Sequence, residues 1–358
     1  MQDHKKTFVI LALTPFHLHQ LNVIKGSLGI NENNSVIMYG NTVTNQNLEL
    51  KKYHTIIPVP KLSVSFQDVL LNPFSIWRVR KEIKNTRLFF EKDLKLFLKK
   101  SVNLVVFSFH GILPQLLQLE LKYKTDQLIE IEEGLAFYYS FNIKDQIMAF
   151  LYPIISSLFL GFKCNYRGLT GRNPHVTKVY ARFPDLLPKK FNHIEYQKIK
   201  NKRDFHANTG GSNKVLIFTS PYSEYRMVDK EIELSTIKEA IRICQKYSKI
   251  DIKTHPKESK DKYGTKNKAI NFLDSNEVGE EIDFFKYSFI IHFGSSIILD
   301  LISANYPSNR IIMIDYAKVR RQFPNIFNKH HLIQFNTDLG SQLDKILKVN
   351  NERSNVLY

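Results

Sequence analysis

The sequence predicts an α/β protein built as two doubly wound domains in tandem, and three observations carry that reading. Short continuous apolar runs alternate with stretches of helical apolar spacing. The alternation occurs twice, on either side of a polar, basic, glycine-containing stretch. Conspicuous polar residues recur where the apolar runs end, which is where a parallel sheet binds ligands. A chain of 358 residues is long for one core and comfortable for two.

In the first half, residues 7–13 (TFVILAL) form a β-branched apolar run that reads as a strand buried on both faces. Thr14-Pro15 breaks it, and His17 to Ile24 has helical spacing. A second strand is expected at Val36 to Tyr39, a basic amphipathic helix over 76–100, and a strand at Asn103 to Ser108 that ends near His110-Gly111. Leu113 to Leu121 reads as a helix and Leu128 to Ile131 as a short strand ending at Glu132. Residues 146–162 are the most apolar stretch, too short and too broken by Pro153 for a membrane span. They read as a helix pair packed on the domain or as one lying at a membrane surface.

Residues 189–213 form the expected linker between a first domain, 1–188, and a second, 214–358. After it the pattern restarts. Lys214 to Phe218 reads as a strand closed by Thr219-Ser220-Pro221, Glu231 to Tyr247 as an amphipathic helix, and Ile250 to Lys253 as a strand ending at Thr254-His255-Pro256. Phe285 to Phe293 is a strand running into Gly294-Ser295-Ser296, followed by a helix from Ile297 to Ala304 and a strand from Arg310 to Ile314. A cleft between the two domains is expected.

Composition narrows the partners. Fifty-one Lys and Arg against 34 Asp and Glu give a formal charge of +17, which favours nucleic acid, an anionic membrane surface or a negatively charged substrate. No zinc-finger, RNP or recognition-helix signature supports nucleic acid, and the basic residues are spread widely. Two distant cysteines suggest neither a disulfide framework nor a metal site, and Phe8 to Leu13 is too short for a signal-peptide core. A cytoplasmic enzyme is expected, peripheral on the inner face of the membrane if the apolar segment touches lipid. Rossmann G-x-G-x-x-G, Walker and H-E-x-x-H motifs are missing from the sequence.

The candidate site residues stand at strand ends. Glu132-Glu133-Gly134 offers two carboxylates and a glycine that lets the backbone turn sharply; a partly buried carboxylate serves as a general base, while the plainer reading is a solvated acidic turn. Alternation turns the two side chains apart, so only one enters the cleft. His255 is fixed in direction by Pro256 and can bond or protonate a phosphate; otherwise it is a surface histidine beside Lys253, Lys257 and Glu258. Gly294-Ser295-Ser296 opens into a helix, giving hydroxyls and N–H groups for a phosphate, or merely an N-cap. Ser220 lies at the matching level of its own strand, and Glu281 reads either as a ribose ligand or as a first-turn acid. Thr14, Pro15, His17 and His110 mark the corresponding strand ends of the first domain.

At these residues the chain resembles the bacterial sialyltransferase and polysialyltransferase group, to which the lipooligosaccharide sialyltransferases are related. The resemblance rests on an acidic pair with Gly, a His-Pro dipeptide and a Ser-Ser pair in that order, and on the opening Leu13-Thr14-Pro15-Phe16-His17-Leu18. It departs at Gly279, where the group often has Pro before the glutamate. The resemblance implies a GT-B fold, CMP-sialic acid as donor, a glycan acceptor, no metal or other cofactor, and inversion at the anomeric carbon. It makes one glutamate of the pair the base, with Glu132, which ends the strand, expected and Glu133 still a candidate. It assigns His255 to the leaving phosphate, Ser295 and Ser296 to holding it, and Glu281 to the ribose. A GT-B transferase using another nucleotide sugar is the nearest alternative; a basic nucleic-acid-binding protein and a membrane-surface scaffold are the others.

Overall fold

The computed structural model describes residues 7–40, 53, 55–60, 75–94, 101–109, 111–140, 142–164, 173, 175–188, 190–199, 214–224, 227–255, 257–258, 260–263, 270–273, 279–315, 323, 326, 331–334 and 338–355. The chain divides into two units, residues 1–200 and 201–358.

The first unit holds strands β1 (Thr7–Ala12), β2 (Ser35–Tyr39), β3 (Thr55–Pro58), β4 (Val102–Val106), β5 (Thr125–Ile131), β6 (Lys178–Ala181) and β7 (Glu195–Lys198). They form one parallel sheet in the order β3-β2-β1-β4-β5-β6-β7. Val9, Ile10 and Ala12 are buried at the centre with Ile37, Val105 and Ile129 beside them, which is why these strands read as unbroken apolar runs. Among the described residues this unit has four α-helices: α1 (Pro15–Leu28), α2 (Ser75–Asp93), α3 (Ile112–Glu120) and α4 (Ile143–Leu160). The second unit holds β8 (Lys214–Phe218), β9 (Lys249–Lys253), β10 (Ile270–Phe272), β11 (Phe289–His292), β12 (Ile311–Asp315) and β13 (His331–Gln334), in the parallel order β10-β9-β8-β11-β12-β13. Its α-helices among the described residues are α5 (Lys230–Cys244), α6 (Ile297–Ser303) and α7 (Leu339–Asn355).

Local chemistry explains the boundaries. The Thr14 hydroxyl accepts from the His17 N–H, Pro15 occupies the first helical turn, and Gly29 ends α1 in the left-handed region at φ 69°. Helix α4 is one continuous helix rather than a pair. A reciprocal cap between Asn142 and Asp145 starts it, Gly161 ends it, and its inner residues Tyr152, Ser156 and Leu160 are buried, so packing carries it through Pro153. Strand β7 falls inside the stretch expected as linker. It lies at the sheet edge with Glu195, Gln197 and Lys198 exposed, and a polar edge strand has the composition of a loop. Strand β11 begins later than Phe285, because the Asp283 carboxylate accepts from the Phe285 N–H and holds Phe284–Lys286 in a 3-10 turn.

Candidate active site

In each sheet the strand order reverses between two central strands, β1 and β4 in the first unit, β8 and β11 in the second. That switch point is where the carboxyl ends of a doubly wound sheet open a ligand crevice.

In the first unit the acidic turn leaves β5, and its two glutamates part ways. Glu132 is wholly buried, and its Oε1 accepts from Arg182 Nε at 2.6 Å. Its Oε2 accepts from the Arg182 backbone N–H at 2.6 Å and from the Tyr138 hydroxyl at 2.5 Å. Burial first, and the adjacent carboxylate second, hold the Tyr138 phenol well above its ordinary range, so it stays protonated and donates. Glu132, the glutamate expected as base, is thus buried and fully engaged by its neighbours. The Glu133 side chain is 37% exposed against 0% for Glu132. Gly134 makes this division possible with φ 123° and ψ −152°, a conformation essentially confined to glycine.

Glu133 meets His17 across the chain. The Leu13 N–H donates to His17 Nδ1 at 3.0 Å, so that nitrogen carries the lone pair. The ring proton therefore sits on Nε2, which donates to Glu133 Oε1 at 3.0 Å. His17 is buried and stacks on Phe107, beyond the end of β4, with ring centroids 4.3 Å apart and planes at 7°. Strands β1, β4 and β5 thus jointly orient one half-exposed carboxylate.

In the second unit His255 follows β9, half-buried. Its backbone N–H donates to Glu258 Oε2 at 3.0 Å and to Thr219 Oγ1 at 3.3 Å, and the Thr219 hydroxyl donates to the same Glu258 oxygen at 2.5 Å. The Lys257 N–H donates to His255 Nδ1 at 3.2 Å, which puts the proton of the neutral ring on Nε2. Burial, above all, pushes His255 below the ordinary histidine range, against the pull of Glu258. Glu258 is braced in turn. Its Oε1 accepts from Tyr263 OH at 2.5 Å and from Lys262 Nζ at 2.9 Å, and the same ammonium reaches Glu233 at 2.7 Å and Glu224 at 2.9 Å. Burial alone would lower Lys262, but its bonds to Glu233, Glu224 and Glu258 hold it above its ordinary range. The three carboxylates lie close enough to ligate one cation, and the ammonium already bonds all three.

Beside His255, strand β8 runs into buried Thr219 and Ser220, and β11 runs into Gly294 at φ 79°. The Tyr222 hydroxyl donates to the Gly294 carbonyl at 3.1 Å, tying the two strand ends together. Ser295 Oγ accepts from the Ile297 N–H at 3.4 Å, while Ser296, at the N-cap of α6, makes no capping bond through its side chain. Glu281 is exposed on the 3-10 turn Gly279–Glu281. A Cβ on Gly279 would come within 3.3 Å of Phe218 and 3.6 Å of Ile297, so this turn sits against the β8 end and the start of α6.

The family model for alpha-2,8-polysialyltransferase (POLYST) matches residues 10–278. The chain belongs to that family. It is a sialyltransferase, and the family implies CMP-sialic acid as donor and a glycan as acceptor. The match takes in His17, Glu133 and His255 and ends before Glu281 and the Gly294 turn. No curated protein sequence matches significantly. Among solved structures, the UDP-GlcNAc 2-epimerase of Methanocaldococcus jannaschii, in complex with UDP-GlcNAc and UDP, is similar at 14% identity over 98% of this chain and 99% of its own, TM-score 0.56. S. aureus MnaA with UDP is similar at 14% over 97% and 89%, TM-score 0.54, and the calicheamicin glycosyltransferase CalG4 at 7% over 98% and 96%, TM-score 0.52. At these identities the likeness shows the fold, a GT-B pair of Rossmann-like units.

In the sialyltransferase, the residues read from sequence gather at two sheet ends: Thr14, Pro15, His17, Glu132 and Glu133 in one unit, and Ser220, His255, Glu281, Gly294, Ser295 and Ser296 in the other. His110 and Pro256 lie outside the described residues. Arg182 and Phe107 follow other strands than the acidic turn does, β6 and β4, while Tyr138 lies in the 3-10 turn Leu135–Tyr138 just after it, where nothing in the sequence marks a partner for Glu132. Glu258 and Lys262 left a faint signal, an acid and a base four residues apart directly after the His-Pro pair.

Proposed function

We propose that this sialyltransferase moves sialic acid from CMP-sialic acid to a hydroxyl of a capsule or lipooligosaccharide type glycan, with inversion and without a metal ion, and that Glu133 is its base. The observation that carries the reading is the His17–Glu133 contact at 3.0 Å, which fixes a half-exposed carboxylate at the sheet's switch point. Glu133 takes the proton of the acceptor hydroxyl as its oxygen bonds to the anomeric carbon. The bond from that carbon to the CMP phosphate oxygen breaks, and CMP leaves with the electron pair. His255 donates a hydrogen bond from Nε2 to that oxygen, as a neutral imidazole held so by burial and by the amide on Nδ1. The hydroxyls of Ser295, Ser296 and Ser220 supply further donors around the phosphate, and Glu281 takes the ribose. A formal charge of +17 steers the doubly anionic donor inward.

The family favours an oligosialic acceptor. Mass spectrometry of products from CMP-sialic acid with galactoside and oligosialic acceptors tests the reading. Stepwise addition of sialic acid residues is expected. CMP release only with a different CMP-linked sugar would sink it.

A further inference from the structure

The outer face of α4 has the wrong polarity for water. Its exposed apolar residues are Ile143, Ile147, Phe150, Leu151, Ile154 and Leu158. Their spacing, i, i+4, i+7, i+8, i+11 and i+15, places them on a single stripe about 100° wide. Ile143 is 76% and Phe150 73% exposed, while the buried residues Tyr152, Ser156 and Leu160 occupy the opposite side. A soluble helix puts its stripe inward, and a continuous outward one marks an interaction surface. Among the described residues α4 is also the one helix long and apolar enough to cross a membrane. Its packing beside α2 and its buried inner face favour lying along a surface instead.

Helix α2 completes the surface. The Arg80 guanidinium donates to the Leu158 and Phe159 carbonyls at 2.6 and 3.1 Å, binding the two helices at the C-terminal end of α4. The outward stripe of α2 carries Trp77, Lys81, Lys84 and Leu88, again at helical spacing, and Trp77 is 79% exposed. Lys81 and Lys84, with Lys144 and Lys163 at the two ends of α4, are exposed and have no acidic partner among the described residues.

From this stripe and its rim of unpaired cations we infer that the α2–α4 face docks on an anionic lipid bilayer, the apolar side chains entering the headgroup boundary and the lysines meeting lipid phosphates. Charge decides the occupant. A second copy of the chain would bring like charges together around the same stripe, whereas an anionic surface complements them. Trp77 fits that depth, since its ring has an apolar body and a polar N–H.

The test is vesicle flotation of the full chain with phosphatidylcholine alone and with added phosphatidylglycerol. The chain is expected to float with the anionic vesicles and less so at high salt. Phe150→Ser with Ile154→Ser should cut partition about tenfold or more, and Lys81→Gln with Lys84→Gln should remove the preference for anionic lipid. Both variants should keep the transfer rate on a soluble acceptor, which separates this inference from the proposed chemistry. Trp77 is the only tryptophan, so its fluorescence in the unaltered chain should shift to the blue on anionic vesicles. Failure to float at low salt, an unmoved Trp77 emission, or unchanged partition of the Phe150/Ile154 variant each overturns the inference. So does a sedimentation result in which that variant dissolves a dimer while lipid binding persists.

Discussion

Replacing the two adjacent glutamates one at a time separates brace from base. Glu132→Gln removes the charge from a carboxylate that accepts from three donors, Arg182 Nε, the Arg182 backbone N–H and the Tyr138 hydroxyl, and that lies 2.5 Å from Arg182 Nη2 in the same ion pair. The amide keeps one acceptor oxygen and turns two N–H bonds toward groups that are themselves donors. The Arg182 guanidinium, 3% exposed, is left buried beside a neutral group. Breaking a buried pair this way costs roughly 3–5 kcal/mol. In a unit of about this size each kcal/mol moves the midpoint by about 2–4 °C, so a drop of about 6–20 °C follows. Glu133→Gln is the opposite case. Its amide oxygen still accepts the His17 Nε2–H, so the midpoint should stay within about 0.5 kcal/mol of the parent. With the base gone, kcat should fall by about 10²–10⁴. The assay pairs thermal melting with initial CMP release from CMP-sialic acid and an oligosialic acceptor, read well below the lowest midpoint. Glu133→Gln keeping its rate within tenfold of the parent, or Glu132→Gln losing rate with an unchanged midpoint, would refute the assignment.

Three further outcomes follow from the same contacts. Because burial holds His255 below the ordinary value of 6.5, the ring is neutral at pH 7, and activity due to it should hold steady from pH 7.5 down to about 6.5. A kcat that climbs as pH falls through that window would mean an imidazolium acid instead; His255→Ala should lower kcat by about 10²-fold. Lys262→Met leaves Glu224, Glu233 and Glu258 facing one another, so the second unit should lose roughly 3–5 kcal/mol at neutral pH. Urea unfolding of the variant beside the parent would show it. Gly134→Ala, forced into φ 123°, should cost about 1–3 kcal/mol and lower kcat through a misplaced Glu133, with both read in one preparation.

The sequence made the sheet ends legible, and for a physical reason. Strands buried on both faces, such as β1 and β8, are runs of branched apolar residues, and the polar residues that stop them stand out. Thr14, the acidic turn, His255 and Gly294 all came from that contrast. Short edge strands such as β3, β7 and β10 bury little and carry mixed residues, so they read as loops. The choice between Glu132 and Glu133 was not legible. It depends on Arg182, some fifty residues on, and on His17, more than a hundred residues back. Alternation says that the two side chains diverge, and only the partners on each side say which direction is inward.

The two units solve the same difficulty by the same means. A reactive group must stay open enough to meet substrate, yet hold one direction, and an exposed side chain on a turn does neither unaided. Glu133 is aimed by a buried neighbour, Glu132, locked to Arg182 across β5 and β6. His255 is aimed by Glu258, three residues on and locked to Lys262. In both, the bracing carboxylate accepts from the backbone as well as from a cation, so charge holds the turn itself and not merely a side chain. Hydrophobic groups of equal volume can replace an isolated buried ion pair at little cost, but each carboxylate here also accepts from buried backbone and hydroxyl donors. Such groups would leave the Arg182 and His255 amides without acceptors, and the turns that present Glu133 and His255 would lose their fixed course. Double replacement of either brace should therefore lower the melting temperature and kcat together.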